Sequence, residues 1–277
     1  MRARPFRQVD VFATEPYTGN PVAVVLDGDG LATAEMQQFT RWTNLSEATF
    51  VLPPTRDGAD YRVRIFTTSR ELPFAGHPTL GTCHAWLETH PTAGGAVVQE
   101  CGAGLIEIRA EGDVLAFAAP PLLRYEPADE ELVSHIASCL RIARSEIVDA
   151  HWVDNGPGWV AVLLHDADAV RGLQPGFVDL DLGVVAVEPE VVVRAFFPRN
   201  GSTAEDPVTG SLNASLARWL LDTGRVTAPY VASQTTGRVH VSRDDEGTIW
   251  VGGGTVTCIV GEVMLPSRAA PVEGSPS

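Results

Sequence analysis

Positive charge is scarce in this sequence. Its 277 residues include 20 lysine and arginine residues against 35 aspartate and glutamate residues, which gives a net charge of −15. Nucleic-acid binding needs a basic surface, and no basic stretch is present to supply one. We therefore expect no nucleic-acid partner. The negative overall field also repels anions, so an anionic ligand would have to be held by local hydrogen-bond donors.

Cysteine is also scarce, and long apolar runs are missing. The four cysteines, which contain no Cys-x-x-Cys pair, are Cys83, Cys101, Cys139 and Cys258. This scatter indicates buried free thiols in a reducing compartment rather than disulfides or a metal site. No apolar run approaches the ~20 residues of a membrane span, and the first residues lack the apolar segment of a signal peptide. We expect a cytoplasmic protein with no membrane partner.

Cofactor motifs are missing as well. The sequence has no P-loop, no Rossmann fingerprint and no His-x-x-x-His pair, and no lysine lies in the loops before its two small-residue helices. The run Gly-Gly-Gly at 252–254 lies between two predicted strands, 248–251 and 255–260. It is followed by neither Lys-Ser/Thr nor a helix, so we interpret it as a bend and not as a phosphate-binding loop. The sequence therefore predicts no nucleotide, no metal and no pyridoxal phosphate.

What the sequence does contain is a repeat. His-Pro-Thr-Leu-Gly-Thr at 77–82 aligns with Asp-Pro-Val-Thr-Gly-Ser at 206–211, which places His77 over Asp206. Each segment follows a short strand with an Arg-x-Phe core, and each leads into a predicted helix rich in small residues, at 79–88 and 209–222. Two such helix starts that face each other would offer unpaired N–H groups and two positive dipole ends to one anion. We expect a carboxylate-binding cleft between two similar halves.

Short predicted strands surround one apolar helix in each half, which indicates a strongly curved sheet wrapped on a central helix. Two prolines at 120–121, followed by a polar stretch, form the strongest candidate for a domain boundary. We expect one domain over residues 1–119 and a second over 120–266, with the last strand or tail able to return to the first domain. The tail at 267–277 is rich in Pro, Gly and Ser and is expected to be disordered.

Four blocks around the repeat resemble the PhzF-like isomerases of phenazine biosynthesis, which share the diaminopimelate epimerase fold. The blocks lie at 8–13 with 18–21, at 44–50, at 71–81 and at 205–211. The resemblance runs from about residue 6 to residue 260. It implies an α+β fold of two pseudo-symmetric domains with the active site between them, a homodimer, no cofactor and a small carboxylate-bearing substrate. The named reaction of the family is the isomerisation of a dihydro-hydroxyanthranilate.

Glu47 is the first candidate catalytic residue. It stands where a predicted helix gives way to an apolar strand, a position that indicates partial burial. Burial would raise the pKa of the carboxyl group toward the value of a general base that works near neutrality. On the residues alone, a solvated carboxylate at a helix end is the alternative. The resemblance implies that the matching glutamate is the proton-shuttling acid/base.

The aligned segments supply the other candidates. Taken singly, His77 and Asp206 could each be a capping or packed residue. The resemblance implies that the matching histidine and aspartate face the substrate and tune or relay protons, and that Ser211 contacts it. Gly76 and Gly210 permit close backbone approach, so nearby N–H groups can bind the substrate carboxylate.

Asn20 lies in a matching block and is a further substrate-binding candidate, although a turn could also use it. We interpret Glu205 as structural. Cofactor-free epimerases of this fold use one thiol from each half, and the corresponding places carry Ala75 and Asp206, which disfavours a two-thiol racemase. Two alternatives to a PhzF-like isomerase stay open. One is an epimerase or racemase of an amino-acid derivative with non-thiol bases, and the other is a non-catalytic ligand-binding relative.

Overall fold

Strands make up most of the fold, as the sequence predicts. The computed structural model describes residues 1–91 and 95–267. The elements of the first half are β1 (Arg2–Val11), β2 (Asn20–Val25), α1 (Thr33–Thr43), β3 (Glu47–Leu52), β4 (Tyr61–Thr67), β5 (Glu71–Leu72), α2 (Gly76–Thr89), β6 (Val97–Cys101), β7 (Gly104–Glu111) and β8 (Val114–Ala118).

The second half has a similar series of elements. They are β9 (Arg124–Pro127), α3 (Glu130–Leu140), a 3-10 turn (Arg144–Glu146), β10 (Ile147–Asp154), β11 (Val160–Leu164), α4 (Ala167–Arg171), β12 (Leu182–Ala186), β13 (Val191–Arg199), β14 (Ser202–Asp206), α5 (Gly210–Asp222), β15 (Tyr230–Gln234), β16 (Gly237–Arg243) and β17 (Ile249–Leu265). Part of the polar stretch after residue 121, which was predicted as a break, thus forms strand β9.

The two halves share one pattern of strand pairing. In the first, β2 pairs parallel with β3, β3 antiparallel with β4, and β4 antiparallel with β5 and parallel with β6. In the second, β11 pairs parallel with β12, β12 antiparallel with β13, and β13 antiparallel with β14 and parallel with β15. The chain is therefore an α+β protein built from two copies of one topology.

The last strand joins the halves. The first part of β17 pairs with β16 and β8, and its later part pairs with β1 over the whole length of β1. The boundary between residues 119 and 120 stays a prediction. Of the tail predicted to be disordered, residues 268–277 lie outside the described residues.

The predicted bend at 252–254 is wrong, because β17 runs through it as one strand. A Cβ on Gly252 would lie 2.5 Å from the Leu115 carbonyl oxygen, and one on Gly253 would lie 2.5 Å from Cδ1 of Phe12. The glycines are present because β17 passes against β8 and against the end of β1 at distances that leave no room for side chains.

Each half packs its sheet on one small-residue helix. A Cβ on Gly81 of α2 would lie 2.4 Å from Cγ1 of Val22 and 3.0 Å from Cγ2 of Val11, so Gly81 lets β1 and β2 rest directly on α2. In the second half, a Cβ on Gly183 would lie 2.4 Å from a methyl group of Leu212 of α5. The expected helix at the centre of each curved sheet is confirmed.

The structure changes the register of the repeat. Helix α2 begins at Gly76 after Ala75, and α5 begins at Gly210 after Thr209. Gly76 therefore matches Gly210, His77 matches Ser211, and the alignment of His77 with Asp206 is wrong. The prolines cause the error: Pro78 lies inside the first turn of α2, where its missing N–H is not needed, whereas Pro207 precedes α5. Thr209, and not Asp206, is the counterpart of Ala75, and neither is a cysteine.

A pair of ion pairs supports the corrected register. Arg64 makes a bidentate contact to Glu71 at 2.7 and 2.6 Å, and Arg194 makes the same contact to Glu205 at 2.8 and 2.7 Å. Each glutamate pairs across the sheet with the phenylalanine of an Arg-x-Phe core. Glu205 thus has a structural partner, in agreement with its interpretation from the sequence.

Two further predictions concern the cysteines, which were expected to be buried free thiols, and the absence of a membrane-spanning segment. All four cysteines are free; Cys83, Cys101 and Cys139 are buried, and Cys258 is partly buried. Within the described residues, no helix is both long enough and apolar enough to cross a membrane.

Candidate active site at two facing helix starts

The first turns of α2 and α5 meet, as the repeat predicts. A Cβ on Gly76 would lie 3.2 Å from Cα of Gly210, and a Cβ on Gly210 would lie 3.2 Å from Cα of Gly76 and 3.3 Å from the backbone nitrogen of His77. A side chain at either position would be in tight contact with the facing backbone, so glycine at both positions favours this close approach. The positive ends of two helix dipoles therefore lie side by side.

Backbone N–H groups at these helix starts have no acceptor in their own helix. The first intrahelical bond of α2 runs from Thr79 N to Ala75 O at 3.2 Å, and that of α5 runs from Asn213 N to Thr209 O at 3.1 Å. The N–H groups that precede these bonds have no acceptor in the described ranges 1–91 and 95–267, so they could donate to a ligand. They belong to Gly76, His77, Gly210, Ser211 and Leu212.

Glu47 is the first residue of β3 and lies beside this junction. Its backbone is fixed between Val22 of β2 and Thr67 of β4, and its side chain is 16% exposed. Loss of solvation, together with the negative charge of Asp206, raises the pKa of Glu47 to about 8. The carboxyl group of Glu47 is therefore mostly protonated at pH 7.

His77, the second residue of α2, faces Glu47. Its Nε2 lies 3.4 Å from Oε2 of Glu47, and neither atom forms a hydrogen bond within the described residues. Burial lowers the pKa of His77 to about 3, and a hydrogen bond to the Pro21 carbonyl opposes this shift. The imidazole is thus neutral, and the contact joins a neutral ring to a carboxylic acid rather than forming an ion pair.

Asp206, at the end of β14, supplies the second carboxyl group. Its Oδ1 accepts a hydrogen bond from Asn20 Nδ2 at 3.0 Å, and its Oδ2 accepts one from Thr209 Oγ1 at 2.6 Å. Removal from water raises the pKa of Asp206 to about 6; the two hydrogen bonds oppose the shift, and the charge of Glu205 adds to it. At neutral pH the negative charge of the two carboxyl groups therefore resides mainly on Asp206.

Asn20 and Gln234 hold Asp206 in place. Besides its bond to Asp206, Nδ2 of the fully buried Asn20 donates to the Val208 carbonyl at 2.9 Å, while its buried Oδ1 has no hydrogen-bond partner among the residues that the structure describes. Gln234 of β15 donates to the Asp206 carbonyl at 3.1 Å and to Thr209 Oγ1 at 3.0 Å. The structure thus places Asn20, predicted to bind substrate, in direct contact with Asp206. Gln234 was not predicted.

Ser211 sits beside a loop of the second half. Its Oγ accepts a hydrogen bond from Trp159 Nε1 at 3.1 Å, and its carbonyl accepts one from Asn155 Nδ2 at 2.9 Å. Asn155 Oδ1 is buried and has no partner among the described residues. Sequence reasoning missed both loop residues. The available signal was the run Asp-Asn-Gly-Pro-Gly-Trp at 154–159, whose turn chemistry ends in a buried tryptophan.

One aromatic ring lies against each glycine of the junction. Cζ of Phe117 would lie 2.9 Å from a Cβ on Gly76, and Cζ of Phe12 would lie 3.2 Å from a Cβ on Gly210. Both rings are almost fully buried, and Phe117 also packs edge-on against Phe74 at a centroid distance of 5.4 Å. These rings keep water from one side of the site, which strengthens its electrostatic interactions.

The arrangement brings together two carboxyl groups with raised pKa values, a neutral imidazole and a set of backbone donors. Comparison with known proteins identifies the family to which the chain belongs. The family model for phenazine biosynthesis-like proteins, PhzC-PhzF, matches residues 9–261. The chain belongs to the PhzC-PhzF family.

Individual relatives agree with this assignment. Antisense-enhancing sequence 1 of Schizosaccharomyces pombe is 34% identical over 96% of this chain and 100% of that protein. Trans-2,3-dihydro-3-hydroxyanthranilate isomerase of Pseudomonas fluorescens is 38% identical over 79% of this chain and 80% of that protein. The family and the isomerases among its relatives make this chain an isomerase.

Solved structures establish the fold. A PhzF family protein from Enterococcus faecalis superimposes with a TM-score of 0.78 at 26% identity, over 95% of this chain and 100% of that one. A hydroxyproline epimerase from Agrobacterium vitis, at 13% identity and a TM-score of 0.59, covers 95% of this chain and 92% of that one, and shares the fold alone. The predicted diaminopimelate epimerase-like fold is confirmed.

Proposed function

We propose that this isomerase works without a cofactor and moves a proton between two carbons of a small carboxylate-bearing substrate. The observation that carries the proposal is the contact of Glu47 with the neutral His77, together with the charge of Asp206, which is near enough to raise the pKa of Glu47. Two carboxyl groups whose pKa values differ can hold one proton and one negative charge at neutral pH, as an acid/base catalyst requires.

The substrate carboxylate would bind at the facing helix starts. Its charge would be met by the free N–H groups around Gly76 and Gly210 and by two helix dipoles. The hydroxyl of Ser211 would add a further donor, with its oxygen oriented by Trp159. Local donors of this kind are needed because the net charge of −15 repels an anion at long range.

The proton transfer would run through Glu47. In its ionised form Glu47 takes a proton from an activated carbon, and the C–H electron pair moves into the conjugated double bonds of the substrate. The Glu47 carboxylic acid then returns the proton to a carbon further along that system. Substrate and product have the same composition, and Glu47 ends ionised as it began. His77 would orient the carboxyl group through Nε2, and Asp206 would raise its basicity.

The sequence supports independence from one common cofactor. The 20 residues counted together as lysine and arginine are all arginine, so the chain contains no lysine. A Schiff base between a lysine and pyridoxal phosphate, or between a lysine and a carbonyl substrate, cannot form. The proton chemistry is therefore assigned to the carboxyl groups and the imidazole.

Trans-2,3-dihydro-3-hydroxyanthranilate is the first substrate to test, because a relative that is 38% identical is named for its isomerisation. The compound would be incubated with the protein in D₂O and the product analysed by NMR and mass spectrometry. A double bond moved within the ring supports the proposal. Deuterium at a stereocentre with inversion would instead identify an epimerase, and tight binding without any turnover would identify a ligand-binding protein.

Two further expectations belong to this proposal. We propose that the protein is a homodimer and that it acts in the cytoplasm. Light scattering of the purified full chain gives its mass in solution, with twice the mass of the 29.6 kDa chain expected. A mass of one chain across micromolar concentrations contradicts the dimer and leaves the proposed chemistry intact.

A further inference from the structure

We infer that His135, Cys139 and Asp179 form a binding site for one divalent transition-metal ion of the Zn²⁺ type. The site lies on α3 and on the loop before β12. These elements pack around a separate hydrophobic cluster that contains Val133, Ile136 and Leu140. No residue of the proposed active site belongs to this cluster, so the metal site is distinct from the isomerase chemistry.

The three potential ligand atoms lie within 4.8 Å of one another, and their spacing is close to that of a tetrahedral zinc site. His135 Nε2 lies 2.8 Å from Asp179 Oδ1, Cys139 Sγ lies 3.5 Å from His135 Nε2, and Cys139 Sγ lies 3.9 Å from Asp179 Oδ1. Zinc bond lengths and tetrahedral angles place such atoms about 3.4 Å (N to O) and about 3.6 Å (S to N and S to O) apart. A widening of the N–O contact by roughly half an ångström would admit the ion.

Helix α3 provides two of the ligands. His135 and Cys139 are four residues apart and therefore share one face of the helix. The helix is fixed at its start, where the Asp129 side chain accepts a hydrogen bond from Leu132 N at 2.8 Å. Cys139 is buried, whereas the side chains of His135 and Asp179 are about half exposed, at 48% and 49%. The site thus opens to solvent, and a water molecule can supply a fourth ligand.

The loop that carries Asp179 is tied to its surroundings at two points. Gly176 N donates to the Cys139 carbonyl at 2.7 Å, which anchors the loop to the end of α3. Thr203 Oγ1 of β14 donates to the Gly176 carbonyl at 2.7 Å and accepts from Val178 N at 2.8 Å. These bonds hold Asp179 beside Cys139 without a metal, so binding does not require the loop to fold first.

The donor set selects the kind of ion. A thiolate and an imidazole favour Zn²⁺, Co²⁺ and related ions, and disfavour Mg²⁺ and Ca²⁺, which prefer oxygen ligands. The ordinary alternative is a surface contact between His135 and Asp179 with a thiol nearby. The sequence predicts no metal because Asp179 lies 40 residues after Cys139, a separation that carries no ligand-spacing signal.

The test is titration of the full chain, without an affinity tag and after treatment with a chelator, with Co²⁺. We expect one equivalent to bind, to produce a thiolate-to-cobalt charge-transfer absorption band and to be displaced by Zn²⁺. Cys139→Ser should abolish the band, and His135→Ala and Asp179→Asn should each weaken binding about tenfold or more, since even the partners of metal ligands commonly contribute that much.

Cys258→Ser is the matched control, because Cys258 also has a carboxylate neighbour: its Sγ lies 2.9 Å from Asp10 Oδ2. This variant should keep the band and the affinity. The exposed substitution Asp179→Asn keeps the test valid should Cys139→Ser fail to fold. Absence of stoichiometric binding, or a Co²⁺ affinity that Asp179→Asn and His135→Ala leave unchanged, would overturn the proposal. Neither result bears on the isomerase activity.

Discussion

Oε2 of Glu47 lies 3.4 Å from Nε2 of His77, and neither atom forms a hydrogen bond in the described part of the chain. Burial raises the pKa of Glu47 to about 8 and lowers that of His77 to about 3. Near neutrality the proton therefore belongs to the carboxyl group, and the imidazole can accept a hydrogen bond from it.

The stability of the protein should fall as pH rises from about 5 to about 8, in part because of Glu47. Its pKa is raised from 4.5 in the unfolded chain to about 8 in the folded one. The folded state thus binds the proton more tightly, and its advantage is complete below pH 4.5 and is lost as pH rises through 8. Urea unfolding at several pH values measures the free energy of unfolding. As pH rises, this free energy should fall less in Glu47→Gln than in the wild type. If the free energy of unfolding depended on pH equally in the two proteins, the raised pKa of Glu47 would be contradicted.

The pH dependence of kcat/KM should also report Glu47. Because the base must be ionised to take a proton, kcat/KM should rise with pH and level off above about 8. The charge of Asp206 contributes to the high pKa of Glu47, so Asp206→Asn should move the rise to lower pH. An Asp206→Asn profile with an unchanged midpoint would show that the two carboxyl groups are not coupled.

Gly210→Ala should weaken substrate binding. The added Cβ would lie 3.2 Å from Cα of Gly76 and 3.3 Å from His77 N, so the helix starts at which we propose that the carboxylate binds would have to move apart by a few tenths of an ångström. We expect KM to rise about tenfold or more, with the fold retained. The control is Gly261→Ala, since Gly261 has open space around it and ordinary backbone angles. Equal KM values for the two variants would exclude a carboxylate site at this junction.

Gly81→Ala should destabilise the first half of the protein. Its Cβ would lie 2.4 Å from Val22 Cγ1 in a well-packed core, and overpacking of this kind costs about 1–3 kcal/mol. The better helix propensity of alanine offsets up to about 1 kcal/mol of this. Chemical denaturation measures the difference, with Gly261→Ala as the matched control. A Gly81→Ala protein as stable as the wild type would mean that α2 can move away from β2.

Much of the fold could be predicted from the sequence because its periodic signals are local. The small residues of α2 and α5 indicated two central helices, and the Arg-x-Phe cores marked two equivalent strands. The register between the halves was wrong because proline is tolerated both in the first turn of a helix and just before a helix, and only the structure distinguishes Pro78 from Pro207. The prediction of a bend at the glycines 252–254 was wrong because a single sequence does not show where a strand packs closely against its neighbours.

The site was predicted in part. Glu47 lies beside His77 and near Asp206. The sequence indicated Glu47 by the apolar strand that follows it, and His77 and Asp206 by the repeated segments that contain them. Gln234 and Trp159 were not predicted. Gln234 contacts Asp206 and Trp159 contacts Ser211 only because the fold brings together segments that are distant in the sequence. A single glutamine in a strand, or a tryptophan after a turn, is ordinary in a sequence.

The most direct test of the account is the rate of proton transfer in Glu47→Gln. Wild type and variant would be mixed with trans-2,3-dihydro-3-hydroxyanthranilate, or with the substrate that screening identifies, and single-turnover conversion would be followed in H₂O and D₂O. Glu262→Gln, which removes an exposed carboxylate of β17, serves as the control. We predict a loss of about 10²–10⁴-fold for Glu47→Gln and near-normal rates for the control. A Glu47→Gln rate within a few-fold of wild type would contradict the assignment of Glu47 as the base.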